Sequence, residues 1–114
     1  MWIRIALPVY WLALAAATHY PRVRIPGEIP SSDKVVHFAA FGILAFLFWW
    51  FMAARPKPLT AGSVWRAAAV LIAYAALDEG TQQFVGRDTD LVDWIANVAG
   101  ITCVLAVLEV RRRW

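Results

Sequence analysis

Seven side chains able to do chemistry fall in three short stretches of this chain. Lys34 and His37 are three apart, Glu79 and Gln83 four apart, and Asp93 and Asn97 four apart, with Arg87 in the turn between the last two pairs. Residues three or four apart share a helix face, so each pair offers one polar stripe. Lys34 and Arg87 are donors suited to a phosphate or carboxylate. His37 and Glu79 suit proton transfer, and Arg87 suits stabilising a developing oxyanion. The densest stretch, from Asp78 to Gly100, is wedged between two apolar segments. Ionisable groups cost roughly 2.5–3.5 kcal/mol each at the centre of a membrane helix, so they normally face a bundle interior and mark a functional site.

The elements that must position these groups are membrane spans. With 61% hydrophobic residues in 114 and a mean hydropathy of +0.58, the chain is too apolar for a small soluble domain. A spanning helix needs about 20 apolar residues, and residues 2–18, 35–54, 64–84 and 91–110 supply four such windows. The expected architecture is all-α, a single domain over residues 1–114 forming a small four-helix transmembrane bundle. At 1.5 Å per residue Glu79 lies on the order of 7 Å inside a helix end at Phe84.

Charge orients the bundle. Arg4, Arg55, Lys57, Arg66 and Arg111 to Arg113 fall on one side, and Arg22, Arg24, Lys34 and Arg87 on the other. The richer side is expected to be cytoplasmic, with both termini. Seven of the eight acids then lie toward the outer side, and only Glu109 toward the inner. Trp2, Trp49, Trp50, Trp65 and Trp114 are expected at the inner interface, and Tyr20 and Trp94 at the outer. A net charge of +3 divided in this way does not indicate nucleic acid.

Local signals set the helix ends. Pro8 is tolerated near a helix start and kinks a helix interior. Pro21, Pro26, Gly27 and Pro30 make residues 19–32 an outer loop, after which Ser31 or Ser32 caps the second helix with Asp33 in its first turn. The Arg55-Pro-Lys-Pro run ends that helix, and Ser63 is the expected cap of the third, whose alanines permit close packing. Asp90 caps the fourth helix, where Gly100 continues the Asp93 and Asn97 stripe, and the Arg87 turn would lie over the site as a lid. Cys103, the only cysteine, excludes an intrachain disulfide and reads as buried packing. Arg4 followed by an apolar run ending in three alanines also fits a secretory signal peptide; its cleavage would leave three spans and the same polar site.

Three blocks carry a resemblance. Asp-Lys-Val-Val-His-Phe-Ala-Ala-Phe (33–41), Glu-Gly-Thr-Gln-Gln-Phe-Val-Gly-Arg (79–87) and Asp-Trp-Ile-Ala-Asn-Val-Ala-Gly (93–100) are similar, in order and spacing, to the signature blocks of the VanZ-like membrane proteins. The resemblance places Lys34, His37, Phe38, Glu79, Gln83, Gly86, Arg87, Asp93, Asn97 and Gly100 on the motif. The chain departs from it at Val85, where many relatives have Pro, and at Asp78, where a small residue is common. The resemblance implies a multi-helix protein of the bacterial cytoplasmic membrane and a link to tolerance of the glycopeptide teicoplanin. It supplies no mechanism.

Several functions fit the residues. In the first, an outward-facing polar pocket of Lys34, Gln83, Arg87, Asp93 and Asn97 binds the headgroup of a membrane lipid, a lipid-linked envelope precursor or a small polar ligand, aided by the helix N-termini that point outward. In the second, a membrane enzyme acts on an outer-leaflet lipid with His37 and Glu79 as the acid–base pair. No Ser or Cys nucleophile with an adjacent base, zinc motif or Gly-rich phosphate loop supports it, and no cofactor is expected. His37, Glu79 and Asp93 are metal-compatible by type, but a metal is not expected. Proton or ion passage is disfavoured because nothing polar in residues 67–77 other than Tyr74 extends a path inward. The bland alternative is that the polar groups cap helices and satisfy one another, at about 0.6 kcal/mol per interhelical hydrogen bond. Binding is favoured over catalysis, and Asp33, Asp88 and Asp90 read as caps or solvated loop acids.

Overall fold

Length and apolar composition leave helices as the economical way to satisfy the backbone in hydrocarbon, and the computed structural model of the chain is helical throughout its regular elements. It describes residues 2–20, 32–86 and 91–114, with Ser32 and Asp33 described by backbone alone. The elements are α1 (Ile3–His19), α2 (Ser32–Ala53), α3 (Ala61–Thr81) with a 3-10 turn (Gln82–Val85) at its end, and α4 (Leu91–Arg113). The segments 34–53, 61–85 and 91–113 are each long and apolar enough to cross a membrane. The 17 residues of α1 are apolar but shorter.

Each helix buries one stripe. Ile3, Leu7, Leu14 and Thr18 form it on α1, and Val64, Ala67, Leu71, Ala75, Asp78 and Glu79 on α3. On α4 it runs through Asp93, Asn97, Gly100, Ile101 and Leu105. Phe41, Leu44 and Ala45 supply the α2 share, and the polar residue His37 extends it. The outer surface reverses the soluble pattern: Leu12 is 72% exposed, and Ile5, Val9, Leu77, Leu91 and Val107 are also exposed. Such an exterior suits lipid, whereas the buried polar residues gather at one end of the stripes.

The closest helix approach is between α2 and α4. A Cβ on Gly100 would stand 2.2 Å from the Phe38 carbonyl oxygen, and one on Gly42 would stand 3.1 Å from Val104 Cγ2. Gly100 therefore belongs to helix packing, because lipid supplies no hydrophobic drive and association depends on close backbone approach. The Tyr10 hydroxyl donates to the Ala40 carbonyl at 2.6 Å and ties α1 to α2. Tyr74 packs against Trp11 at 5.1 Å and Phe41 at 6.1 Å between ring centroids, joining α3 to both.

Two local expectations change, and the open question of Pro8 is answered. Thr60, not Ser63, caps α3; its hydroxyl accepts from the Ser63 amide at 3.1 Å and pairs with the Ser63 hydroxyl at 2.9 Å. Pro8 lies inside α1, whose first turn is already closed by Trp2 carbonyl bonds to the Ile5 and Ala6 amides. Cys103 is exposed, since two residues beyond Ile101 is the opposite side of a helix. The expected caps Ser31 and Asp90, the Ser32 side chain and the proline-bearing loop lie outside what is described.

Candidate functional site

The polar residues at the C-terminal ends of α1 and α3 and the N-terminal ends of α2 and α4 form two hydrogen-bonded groups. In the first, between α2 and α4, the Lys34 ammonium binds the Asp93 carboxylate. The lysine side chain is about a third exposed and the aspartate buried, so a rim cation compensates an interior anion. One turn deeper, His37 Nδ1 meets Asn97 Oδ1 at 2.8 Å, and Nε2 lies 3.8 Å from Asp93 Oδ2. The three-residue step from Lys34 to His37 and the four-residue step from Asp93 to Asn97 make these two rungs of one ladder.

Asn97 is fully buried, and among the described residues its Nδ2 has no hydrogen-bond partner. Exchanging the amide oxygen and nitrogen leaves the other half of the carboxamide unmatched at the same spot, because the His37 contact engages one atom. An unsatisfied buried donor costs about 1–3 kcal/mol. The Trp94 indole nitrogen, three residues earlier on α4, is likewise buried with no partner among the described residues.

The second group, between α1 and α3, centres on Asp78. Its carboxylate accepts from the Thr18 hydroxyl at 2.7 Å, the Tyr74 hydroxyl at 3.2 Å and the Gln82 amide at 3.1 Å. The Gln82 amide also reaches Glu79 Oε2 at 3.3 Å. His19 stands beside this group, with Nδ1 3.6 Å from Asp78 and Nε2 2.7 Å from the Thr81 hydroxyl. Thr18, Asp78, Glu79 and Gln82 are all buried. Asp78, one of the two departures from the VanZ-like resemblance, is thus the hub that joins α1 to α3.

The structure puts Lys34 with His37 and Asp93 with Asn97 on shared faces, as their spacing suggests, and packs these two faces together, whereas Glu79 bonds to Gln82 in the other group. It buries Glu79 but points Gln83 outward, and the buried amide is Gln82. The helix tightens into a 3-10 turn from Gln82 to Val85, so Gln83 no longer follows the α-helical register of Glu79. Gly86 ends that turn at φ +80°, a left-handed conformation natural to glycine. Arg87, Asp88 and Asp90 lie outside the described residues. Spacing alone passes over Thr18, His19 and Tyr74; the signal for Thr18 is its place four residues after Leu14 on the buried stripe of α1.

Chemically the site offers carboxylates already bonded to neighbours, an imidazole held between a carboxylate and an amide, a rim ammonium and an unmatched buried carboxamide. Among the described residues no three His, Cys, Asp or Glu side chains converge as a metal-ligand set. No curated protein and no solved structure matches the chain. The model of one family, VanZ/LLP1, matches residues 5–112, nearly the full length and all four helices, and with its lipid-suited exterior this chain is a membrane protein that belongs to the VanZ/LLP1 family.

Proposed function

We propose that this protein lies in the cytoplasmic membrane with both termini inside, and that its polar end, facing outward, binds the headgroup of an envelope lipid or lipid-linked precursor. The observation that carries this reading is Asn97, a completely buried carboxamide with an unpartnered amide on the α2–α4 ladder. A bundle that needed only cohesion would do better with an apolar residue there, because a half-satisfied polar group is worse than none. Lys34, at the rim of the same ladder, supplies a cation that a phosphate or carboxylate can reach. The local acid excess argues less against an anion than its count suggests, since Asp93 and Asp78 already accept bonds from Lys34 and from Thr18, Tyr74 and Gln82.

The test is native mass spectrometry of protein released gently from membranes, comparing the natural chain with Asn97→Ala, Lys34→Ala and Arg87→Ala. A lipid retained by the natural chain and lost by folded variants supports a headgroup site. Equal retention by all four sinks it. His37, held against Asp93 and Asn97, also supports an acid–base reading in which the retained lipid is turned over; loss of that turnover in Glu79→Gln would favour the enzyme. The teicoplanin link is tested separately, by the drug's inhibitory concentration in a susceptible host with and without the protein.

A further inference from the structure

The opposite end of the bundle carries two cavities of unlike chemistry. One, of about 350 Å³, lies between α3 and α4 and is apolar apart from Thr102, Glu109 and Arg113. Those two are already paired, Arg113 Nε to Glu109 Oε1 at 3.0 Å, so the cavity carries little net charge. The other, of about 440 Å³, lies between α2, the turn after it and the start of α3. It is lined by Arg55, Lys57 and Arg66, with Phe48, Met52 and Val70 on its apolar wall. Among the described residues none of these three cations forms an ion pair.

A uniform charge rule for membrane ends explains why cations are here, but not why three frame one cavity while Arg112 and Arg113 share the Glu109 carboxylate within α4. The cavity joins cationic walls to an apolar wall that continues toward the middle of α2 and α3. The chemistry matching both is an amphiphile with an anionic phosphate at one end and a hydrocarbon chain at the other. Basic pockets between membrane helices hold acidic lipid headgroups for this reason, and the volume lies in the range of ligand sites.

We propose that this cavity is an acidic-phospholipid site, with the phosphate on Arg55, Lys57 and Arg66 and an acyl chain against Phe48, Met52 and Val70. It is distinct from the polar end and does not depend on the function assigned there. Thr60, at the cavity edge, caps α3 and fixes the helix start from which Arg66 projects.

The test reconstitutes the full chain in phosphatidylcholine nanodiscs with or without phosphatidylglycerol and counts the phosphatidylglycerol retained per protein after detergent extraction. The natural chain is expected to retain it in preference to phosphatidylcholine. Removing three cations in R55Q/K57Q/R66Q should lower that preference roughly ten- to hundredfold. Val70→Trp, which keeps every charge and fills the apolar wall, should lower it too. R112Q/R113Q, which removes cations at the same end but outside this cavity, should not. The site is overturned if the triple variant, melting like the natural chain, retains as much, or if R112Q/R113Q loses as much. Displacement by inorganic phosphate alone as readily as by phosphatidylglycerol would make it a free-anion site and overturn the lipid assignment. Gly80→Ala, which lies in neither site and whose added Cβ meets nothing within 4 Å, should leave this retention intact, and the polar-end site is read by its own variants.

Discussion

The two ends of the bundle handle charge in opposite ways. At one end Asp78, Glu79, Asp93 and His37 are buried, and Thr18–Asp78 and Lys34–Asp93 bonds cross from helix to helix. At the other, among the described residues Glu109 pairs within its own helix, with Arg112 at 2.6 Å and Arg113 at 3.0 Å, and Arg55, Lys57 and Arg66 are exposed. Buried groups placed on core stripes cost solvation and must be compensated by specific partners. Exposed groups at a helix end can be exchanged with little consequence. For folding stability, as distinct from ligand binding, the contrast locates specificity at the polar end and tolerance at the basic one, and each substitution below tests it.

The largest effect is expected where the polar ladder meets the apolar core. Gly100→Leu places side-chain carbons where a Cβ alone would stand 2.2 Å from the Phe38 carbonyl, so α2 and α4 must separate. The loss should exceed the ~1–3 kcal/mol of ordinary overpacking and appear as a collapse of folded yield in detergent. Gly80→Ala, where a Cβ meets nothing within 4 Å, should melt like the natural chain or slightly higher. If both behave alike, glycine packing does not hold the ladder together.

Next comes Asp78→Ala, which leaves Thr18, Tyr74 and Gln82 without their shared acceptor. Three membrane hydrogen bonds of ~0.6 kcal/mol each give a loss of roughly 2 kcal/mol by thermal or denaturant unfolding. Asp78→Asn, which keeps one acceptor oxygen, should lose less. Within the other group the expectation is asymmetric. Lys34→Met strands a buried carboxylate, whereas Asp93→Asn frees a lysine that is about a third exposed and can reach solvent. Lys34→Met should therefore destabilise more, by about 1–2 kcal/mol, and a double-mutant cycle will show the two to be coupled. Equal single effects would mean that Asp93 is less confined than its burial implies.

Much of this arrangement was legible in the sequence because the same periodicity governs core and site. The four apolar windows became α1 to α4, and spacing put Lys34 with His37 and Asp93 with Asn97 on shared faces. That these two faces meet each other, instead of Asp93 and Asn97 meeting Glu79 and Gln83, is set by the packing of α2 on α4. Pairing Glu79 with Gln83 did not carry through, because spacing of four assumes an unbroken α-helix and the chain tightens at Gln82. Extending the stripe of Val64, Leu71, Ala75 and Asp78 reaches Gln82 instead, a signal available without the structure. The part played by α1 was harder to read. A threonine and a histidine at the end of an apolar run resemble a helix terminus, and only the packing of α1 against α3 reveals Asp78 as their partner. Cys103 and Ser63 show the converse: a residue type common in cores or caps says little until the face or register is known.

The smallest effect comes from making one chemical change at both ends. Glu79→Gln and Glu109→Gln remove the same charge at nearly the same volume. Glu79 is buried and accepts from Gln82, so the amide must find donors and acceptors among neighbours already arranged for a carboxylate. Glu109 serves two arginines near the exposed end of α4, and those arginines keep access to water when it is lost. Unfolding of Glu109→Gln should be indistinguishable from that of the natural chain, with its small residual effect vanishing as salt is raised. Glu79→Gln should shift unfolding at every salt concentration, since the buried group is poorly screened. A Glu109→Gln shift as large and as salt-resistant would place structural charge at both ends, and the division of labour drawn from burial would fail.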